Sequence, residues 1–252
     1  MILQIELRSK ELTKDTQVNV IVPDSAFETN EPIKTLWLFH GRAGDHTAWM
    51  RNTLIERYSA RHNVAVVMPN VDRSWYTNTQ YDVNYFNYVT KELPAICRRM
   101  FSFMSDKREY NMVGGLSMGG YGSLKVALTY PEQYCACIAL SGAVDVTRKG
   151  RPDNLAEWRS IFGYDLESPL ELEGSEHDLY ALSNKIKKEG KPFPRIYMWC
   201  GLDDPLLGGN RLLAEHLSSL GVDSYFEESE GNHSWKWWDL HIQNALRWVF
   251  TE

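Results

Sequence analysis

The stretch "YNMVGGLSMGGYGSLKVAL", Tyr110–Leu128, is the most informative in the chain. It starts with an apolar run typical of a strand, contains the pattern G-x-S-x-G at Gly115–Gly119, and continues with helical periodicity. A serine held on a sharp strand-to-helix turn is a nucleophile elbow, and its neighbours two positions away must be small. The five-residue pattern alone can occur by chance, but this context makes Ser117 the candidate nucleophile.

Short apolar runs that alternate with helical patterns predict the architecture around this turn. Several runs are continuously apolar, as expected for strands that are covered on both faces. The predicted strands are "ILQIEL", "QVNVIV", "TLWLF", "VAVVMP", "YNMVGG", "CACIAL", "RIYMWC" and "DSYFEE", and the predicted helices are Thr47–Ala60, Asp82–Phe101, Gly120–Tyr130, Gly209–Leu220 and Lys236–Val249. This order predicts an α/β fold with a mostly parallel eight-stranded sheet and helices on both faces.

Composition narrows the class of protein. The chain has 252 residues, a length that favours one large domain, and a net charge of −6 without a basic cluster, which argues against nucleic-acid binding. The N-terminus has no apolar signal segment and no run is long enough to span a membrane. Four cysteines without a C-x-x-C pair predict reduced thiols in a cytoplasmic protein, with no zinc site.

A serine hydroxyl needs a base to accept its proton and an acid to orient that base. The loop after the seventh predicted strand contains two adjacent carboxylates, Asp203 and Asp204, of which only one can face the base. The loop after the last strand contains His233, directly before the closing helix. These positions predict a catalytic triad of Ser117, His233 and one of the two aspartates.

The turn after the third strand, "FHGRAGDH", has two interpretations. Gly41 allows a close approach to the nucleophile, so the main-chain N–H of Arg42 is predicted to form the oxyanion hole with that of Met118. His40 and His46 with Asp45 would instead suggest a metal site, but their spacing matches no familiar ligand motif. We therefore predict no metal.

These motifs resemble the esterase D-type branch of the α/β-hydrolases, and most closely the bacterial tributyrin esterases and the feruloyl or acetylxylan esterases. The resemblance covers nearly the whole chain and is carried by "LFHGRAGDHTAWMRNT", "VVMPNVDRSWYTNTQY", "GLSMGGYGSLKVAL", "LSGAVD", "CGLDDPLL" and "GNHSWKWWDLHIQNALRWV". It implies an α/β-hydrolase fold, hydrolysis of short-chain acyl esters without a cofactor, and assembly into dimers or tetramers.

The resemblance also implies roles for individual residues. Of the two carboxylates it favours Asp204, which stands three positions after Gly201 in "CGLDD". The segment around "SWYTNTQY" borders the substrate site in the family, so Trp75 and Tyr76 are candidate substrate-binding residues, although Trp75 fits a core position equally well. Trp235 lies two positions after His233 and is a third candidate.

The remaining tryptophans and histidine of the closing segment are assigned by periodicity. Trp238 belongs to the apolar face of the closing helix, and His241 within that helix is predicted to be structural.

Three features leave the function open. Arg42, Asp72 and Arg73 replace residues that are usually uncharged in the family, so the site is a candidate for polar or charged esters. The segment 145–194, rich in charge, Gly and Pro, is either a cap or wall over the site or a plain surface insertion. The alternative functions are a carbohydrate esterase that removes acetyl or feruloyl groups, an S-formylglutathione hydrolase, an acyl transferase, and a non-catalytic binding relative.

Overall fold

The structure is a computed structural model that describes residues 1–28, 31–147, 155–163 and 167–251. Within these ranges eight strands form one sheet: β1 (Ile2–Ser9), β2 (Lys14–Ile21), β3 (Lys34–Phe39), β4 (Val64–Pro69), β5 (Asn111–Leu116), β6 (Ala136–Leu140), β7 (Arg195–Gly201) and β8 (Ser224–Ser229). The strand order is β1-β2-β4-β3-β5-β6-β7-β8. β2 pairs antiparallel with β1 and β4, and every other pairing is parallel. The predicted mostly parallel eight-stranded sheet is confirmed.

Helices cover both faces of the sheet. They are α1 (Ala48–Asn52), α2 (Ile55–His62), α3 (Tyr85–Asn87), α4 (Leu93–Met100), α5 (Met118–Thr129), α6 (Leu155–Phe162), α7 (Leu179–Glu189), α8 (Leu207–Ser219) and α9 (Trp235–Phe250), and a π-helical turn at Tyr88–Glu92 joins α3 to α4. One buried apolar cluster contains residues of α1, α2 and α9, and the other contains residues of α4 to α8. Strand residues alternate between the two clusters, so the sheet is buried on both faces, as expected for parallel strands.

The helix predicted over Thr47–Ala60 is two helices in the structure. The chain leaves the helical conformation at Thr53, which has φ −139° and ψ 170° and whose hydroxyl donates to the carbonyl of Trp49. Asp239 of α9 then accepts a hydrogen bond from the amide of Leu54, 3.1 Å away. Residues of the closing helix thus stabilise a break that local periodicity does not reveal.

The carboxyl ends of the parallel strands meet at one edge of the sheet, where ligand sites of open α/β sheets lie. The segment predicted as an excursion, 145–194, contains α6, a short 3₁₀ turn (Pro169–Leu172) and α7. Its residues 148–154 and 164–166 lie outside the described ranges.

Candidate active site

Ser117 occupies the turn between β5 and α5 with φ 54° and ψ −117°, a conformation that non-glycine residues rarely adopt. Packing requires the two glycines around it. A Cβ on Gly115 would lie 2.4 Å from the carbonyl oxygen of Gly119, and a Cβ on Gly119 would lie 2.5 Å from that of Phe39. Both distances are far below a van der Waals contact. The turn therefore fits between β5 and the neighbouring strand β3 only because these two side chains are absent.

His233 and Asp204 meet Ser117 at this edge of the sheet. Nε2 of His233 accepts a hydrogen bond from Oγ of Ser117 at 3.0 Å, and Nδ1 donates to Oδ2 of Asp204 at 2.9 Å. The histidine side chain is 32% exposed, whereas the aspartate side chain is fully buried. The structure therefore brings together the three residues that the sequence nominated, with the imidazole between hydroxyl and carboxylate, the geometry of an activated serine.

The two adjacent carboxylates have different environments. Asp203 is exposed, and its amide donates to the carbonyl of Gly231 at 2.8 Å. Asp204 is buried, and Oδ1 accepts a hydrogen bond from the amide of Leu206 at 2.9 Å. Burial alone would raise the pKa of Asp204, but hydrogen bonds from His233, Leu206 and Ser141 outweigh it and hold the pKa below its ordinary value. The carboxylate that contacts the histidine is therefore ionised at neutral pH.

Ser141 and Trp238 support this carboxylate and were missed by sequence reasoning. Nε1 of Trp238 donates to Oγ of Ser141 at 3.0 Å, and the indole lies edge-on to the His233 ring, with centroids 4.9 Å apart and an interplanar angle of 90°. Ser141 follows β6 with φ 46°. The periodicity of α9 correctly predicted that Trp238 is buried. A hydrogen bond between residues 97 positions apart leaves no local signal in the sequence.

The turn after β3 that contains Gly41 and Arg42, which we call the oxyanion turn, lies beside the serine. Gly41 and Arg42 line the same cavity as Ser117, and Met118 is the first residue of α5, where the helix provides no acceptor for its N–H. His40 is buried; its Nδ1 donates to the carbonyl of Gly41 at 2.8 Å and its Nε2 accepts from the amide of Val71 at 3.1 Å. Burial lowers the pKa of His40, so a neutral imidazole with both nitrogens engaged holds the turn.

A cavity of about 870 Å³ adjoins the serine. Trp75, Val146 and Trp158, which we call the apolar wall, form one part of its lining. The rings of Trp75 and Trp158 have centroids 4.8 Å apart, and Nε1 of Trp158 donates to the carbonyl of Val146 at 3.2 Å. Val146 and Trp158 come from the described part of 145–194, so this segment contributes to the lining of the site.

The three substrate-binding candidates take different places. Trp75 lines the cavity, is 7% exposed, and its buried indole N–H has no partner in the described ranges. Trp235 also lines the cavity and packs edge-on against Trp49 and Trp238. The structure does not bring Tyr76 into the described lining, because its ring stacks on Phe39 and its hydroxyl donates to the carbonyl of His40 at 2.9 Å.

No group of three metal-ligating side chains occurs in the described part of the chain. At the candidate turn, the ring nitrogens of His40 are both engaged and Asp45 accepts hydrogen bonds from Thr47. Among the described helices, none combines the length and the apolar character needed to cross a bilayer.

The sequence and the fold match those of known proteins. Residues 9–249 match the family described as "Putative esterase". The chain belongs to this esterase family. An acetyl esterase of Caldicellulosiruptor saccharolyticus is 38% identical, with 98% of this chain and 97% of the relative covered. Both matches cover the nucleophile elbow, the aspartate loop and the histidine loop together. The resemblance of the sequence motifs to the esterases is therefore confirmed.

Two solved structures from Staphylococcus aureus share the fold and a third of the sequence. The fluorophosphonate-binding serine hydrolase FphF superposes with a TM-score of 0.89 at 34% identity, covering 100% of this chain and 99% of that one. The S-formylglutathione hydrolase FrmB superposes with a TM-score of 0.85 at 33% identity over the same shares. The esterase family and these relatives show that the chain is a serine esterase with the α/β-hydrolase fold.

Proposed function

We propose that the esterase hydrolyses short-chain acyl esters through a covalent acyl-enzyme on Ser117. The observation that carries this proposal is the chain of hydrogen bonds from Ser117 Oγ to His233 Nε2, 3.0 Å, and from His233 Nδ1 to Asp204 Oδ2, 2.9 Å. His233 accepts the serine proton as Oγ attacks the ester carbonyl, and buried Asp204 stabilises the imidazolium that forms.

The carbonyl oxygen becomes an oxyanion in this step. We assign its stabilisation to the main-chain N–H of Met118, which follows the serine at the start of α5, and to that of Arg42, which lines the same cavity as the serine. His233 then donates its proton to the leaving alcohol. A water activated by the same imidazole hydrolyses the acyl-enzyme and returns Ser117 to its starting state.

The acyl group is proposed to pack against the apolar wall. Val146, Trp75 and Trp158 line the cavity with apolar side chains, and the indole nitrogen of Trp158 already donates to the carbonyl of Val146. The acetyl esterase named among the relatives supports a small acyl group.

Two other substrate classes are supported by particular observations. Four tryptophans line the cavity, Trp75, Trp158, Trp235 and Trp238, and an aromatic lining can pack against a sugar or cinnamoyl ring, which supports carbohydrate esters carrying acetyl or feruloyl groups. The relative FrmB is named as an S-formylglutathione hydrolase, which supports a thioester substrate.

A fluorophosphonate probe and a substrate panel test the proposal. We expect the wild-type chain to be labelled and the Ser117→Ala variant to remain unlabelled. The panel contains aryl esters of two to eight acyl carbons, acetylated xylo-oligosaccharides, methyl ferulate and S-formylglutathione, and the largest kcat/KM identifies the substrate class. A wild-type chain that neither reacts with the probe nor hydrolyses any ester would refute the catalytic assignment in favour of a binding role.

The setting of the enzyme is also a proposal. All four cysteines are free and three are buried, which suits a reducing compartment, so we propose that it acts in the cytoplasm. We propose a small-molecule ester as substrate, with no nucleic-acid partner because of the net charge of −6. Assembly into a dimer or tetramer is proposed from the family resemblance alone, and sedimentation velocity tests it.

A further inference from the structure

One carboxylate, which does not itself belong to the described lining of the cavity, pairs with two arginines, one of which lines the cavity. Oε2 of Glu157, in α6, lies 2.9 Å from Nη2 of Arg42 and 2.9 Å from Nη2 of Arg73. Nη2 of Arg73 donates a hydrogen bond to Oε2, and Nε of Arg73 donates a second one to Oε1 at 3.3 Å. Glu157 therefore joins the oxyanion turn and the loop after β4 to α6.

Burial differs among the three side chains. Glu157 is 15% exposed, Arg42 is 41% exposed and lines the cavity, and Arg73 is 58% exposed and does not belong to the described lining. The partly buried carboxylate thus forms an ion pair with the guanidinium of an arginine that lines the cavity. The trio carries one excess positive charge, which water screens most at Arg73, the most exposed of the three side chains.

The other charges of the described lining follow the same pattern. Arg51 lines the cavity and has Asp45 as a partner, with Nη2 and Oδ1 3.5 Å apart. Both arginines of the described lining are therefore matched by a carboxylate of the protein itself. Oε2 of Glu157 lies 2.9 Å from Nη2 of Arg42, so an anionic substrate group that approached this nitrogen would also approach the carboxylate. The two negative charges would repel each other.

We propose that Glu157 is a specificity-determining residue that restricts this esterase to esters that carry no charge where they approach Arg42. The proposal rests on the proposed function, because the discrimination acts on the ester bound beside Ser117. It replaces the expectation from sequence alone, in which Arg42 and Arg73 favour charged esters. Arg42 lines the cavity as expected, but the carboxylate of Glu157 in α6 already occupies the position beside it that a substrate carboxylate would take.

The test uses two acetate esters that differ in one charge. The anionic ester is 4-carboxyphenyl acetate and the neutral ester is 4-carbamoylphenyl acetate, which has nearly the same shape. For wild type we expect kcat/KM to be lower for the anionic ester. In Glu157→Gln we expect the anionic-to-neutral ratio of kcat/KM to rise by about five- to tenfold at low salt, and the gain to shrink in high salt, because a freed guanidinium attracts the carboxylate.

Two further variants locate the effect. The double variant Glu157→Gln/Arg42→Gln is expected to lose the gain, because the guanidinium that causes it is gone. Glu228→Gln is the matched control: Glu228 accepts two hydrogen bonds from Arg211, at 2.6 and 3.1 Å, and does not belong to the described lining. Its anionic-to-neutral ratio is expected to equal that of wild type.

Failure of the Glu157 assignment and failure of the proposed esterase function give different results. An unchanged ratio in Glu157→Gln, or an equal loss for both esters, overturns the assignment and leaves Glu157 as a structural tie. Should that variant fail to fold, Arg42→Gln alone serves, with the opposite expectation of a lower ratio. If wild type hydrolyses neither ester, the proposed function fails, and calorimetric binding of 4-hydroxybenzoate against 4-hydroxybenzamide to wild type and Glu157→Gln decides the charge preference.

Discussion

At the scale of single residues, the choice between two neighbouring carboxylates can be tested directly. Asp204→Asn is expected to lower kcat by about 10³- to 10⁴-fold, because an amide no longer stabilises the imidazolium and favours the wrong tautomer. Asp203→Asn is its matched control, since Asp203 is exposed and does not contact His233. Steady-state kinetics on one aryl acetate measures both. A severe loss in Asp203→Asn with a mild one in Asp204→Asn would reverse the assignment.

A second residue-scale prediction concerns the support of Asp204. Ser141→Ala removes a hydroxyl that lowers the pKa of Asp204 and accepts from Nε1 of Trp238. We expect kcat to fall about tenfold, as for other groups that orient a catalytic side chain. We also expect the acidic limb of the kcat/KM profile to move to higher pH, because a less solvated carboxylate holds the imidazolium more strongly.

Trp238→Phe and a matched serine test whether this effect is specific. Trp238→Phe keeps an aromatic ring against His233 but loses the donor, so its effect and that of Ser141→Ala should be non-additive in a double-mutant cycle. Ser229→Ala removes a hydroxyl that accepts from buried Trp199 at 2.9 Å and is not among the groups that shift the pKa of Asp204, so its pH profile should match wild type. Additive effects with unshifted profiles would show that Ser141 only fills space.

At the scale of secondary-structure elements, the strands and the turn at Ser117 could be predicted, because local sequence patterns encode them. The strand-turn-helix around Ser117 follows from a glycine spacing that packing demands, and all eight strands follow from apolar runs. The break at Thr53 was not predictable, because the partner that stabilises it, Asp239, lies 185 positions from Leu54. Tyr76 was misplaced for a similar reason, since its ring packs where Gly122 of α5 leaves room.

Buried Lys125 connects three elements. It lies in α5, and its Nζ contacts the carbonyl of Tyr76 at 3.3 Å, the hydroxyl of Thr77 at 2.9 Å and Nδ1 of His177 at 3.1 Å. Three acceptors match the three N–H groups of an ammonium, and the ring of Phe86 lies 4.8 Å from the cation. Burial lowers the pKa of Lys125 to about 7, and burial followed by the charge of Lys125 lowers the pKa of His177 to about 3.

This lysine makes stability depend on pH in a defined window. Between about 7 and the ordinary value of 10.5, the unfolded chain binds a proton at Lys125 that the folded chain has released. The free energy of unfolding therefore contains a contribution that rises with pH across this window. His177 remains neutral there and adds nothing to the slope. We expect the difference in unfolding free energy, wild type minus Lys125→Met, to increase from pH 7 to pH 10.

Urea unfolding of both proteins at several pH values measures that difference. Lys187→Met is the matched control, because Lys187 is exposed and its Nζ donates to the carbonyl of Leu220. Its difference from wild type should stay flat over the same range. A flat difference for Lys125→Met as well would mean that the buried amine keeps its proton, stabilised by its acceptors and by Phe86.

At the scale of the whole molecule, the site is assembled from the ends of distant strands. Ser117, Asp204 and His233 could be predicted as candidates from the sequence because each follows a strand in an order that the fold imposes. The cavity itself was not predictable in the same way. Trp75 packs against Trp158 in its apolar wall, and Arg42 pairs with Glu157 beside it, and such contacts depend on how the segment 145–194 packs against the sheet.

The apolar wall leads to a prediction about the whole cavity. Trp158 belongs to α6 and packs edge-on against Trp75, so Trp158→Ala removes a large ring from the place where we propose the acyl group to bind. We expect kcat/KM to fall about tenfold for acetyl esters, which lose contact area, and to rise relative to acetyl for hexanoyl and octanoyl esters, which fill the space. A series of aryl esters of increasing acyl length measures the profile.

A tryptophan elsewhere in the fold controls for the loss of a large ring. Trp248 does not belong to the described lining, and its ring lies 4.3 Å from the guanidinium carbon of Arg195. Trp248→Ala is therefore expected to reduce stability while it leaves the order of preference among acyl lengths as in wild type. If Trp158→Ala likewise changes only stability, the acyl group does not bind at the apolar wall. The wall would then contact the alcohol, and variation of the leaving group at constant acetyl would reveal the effect.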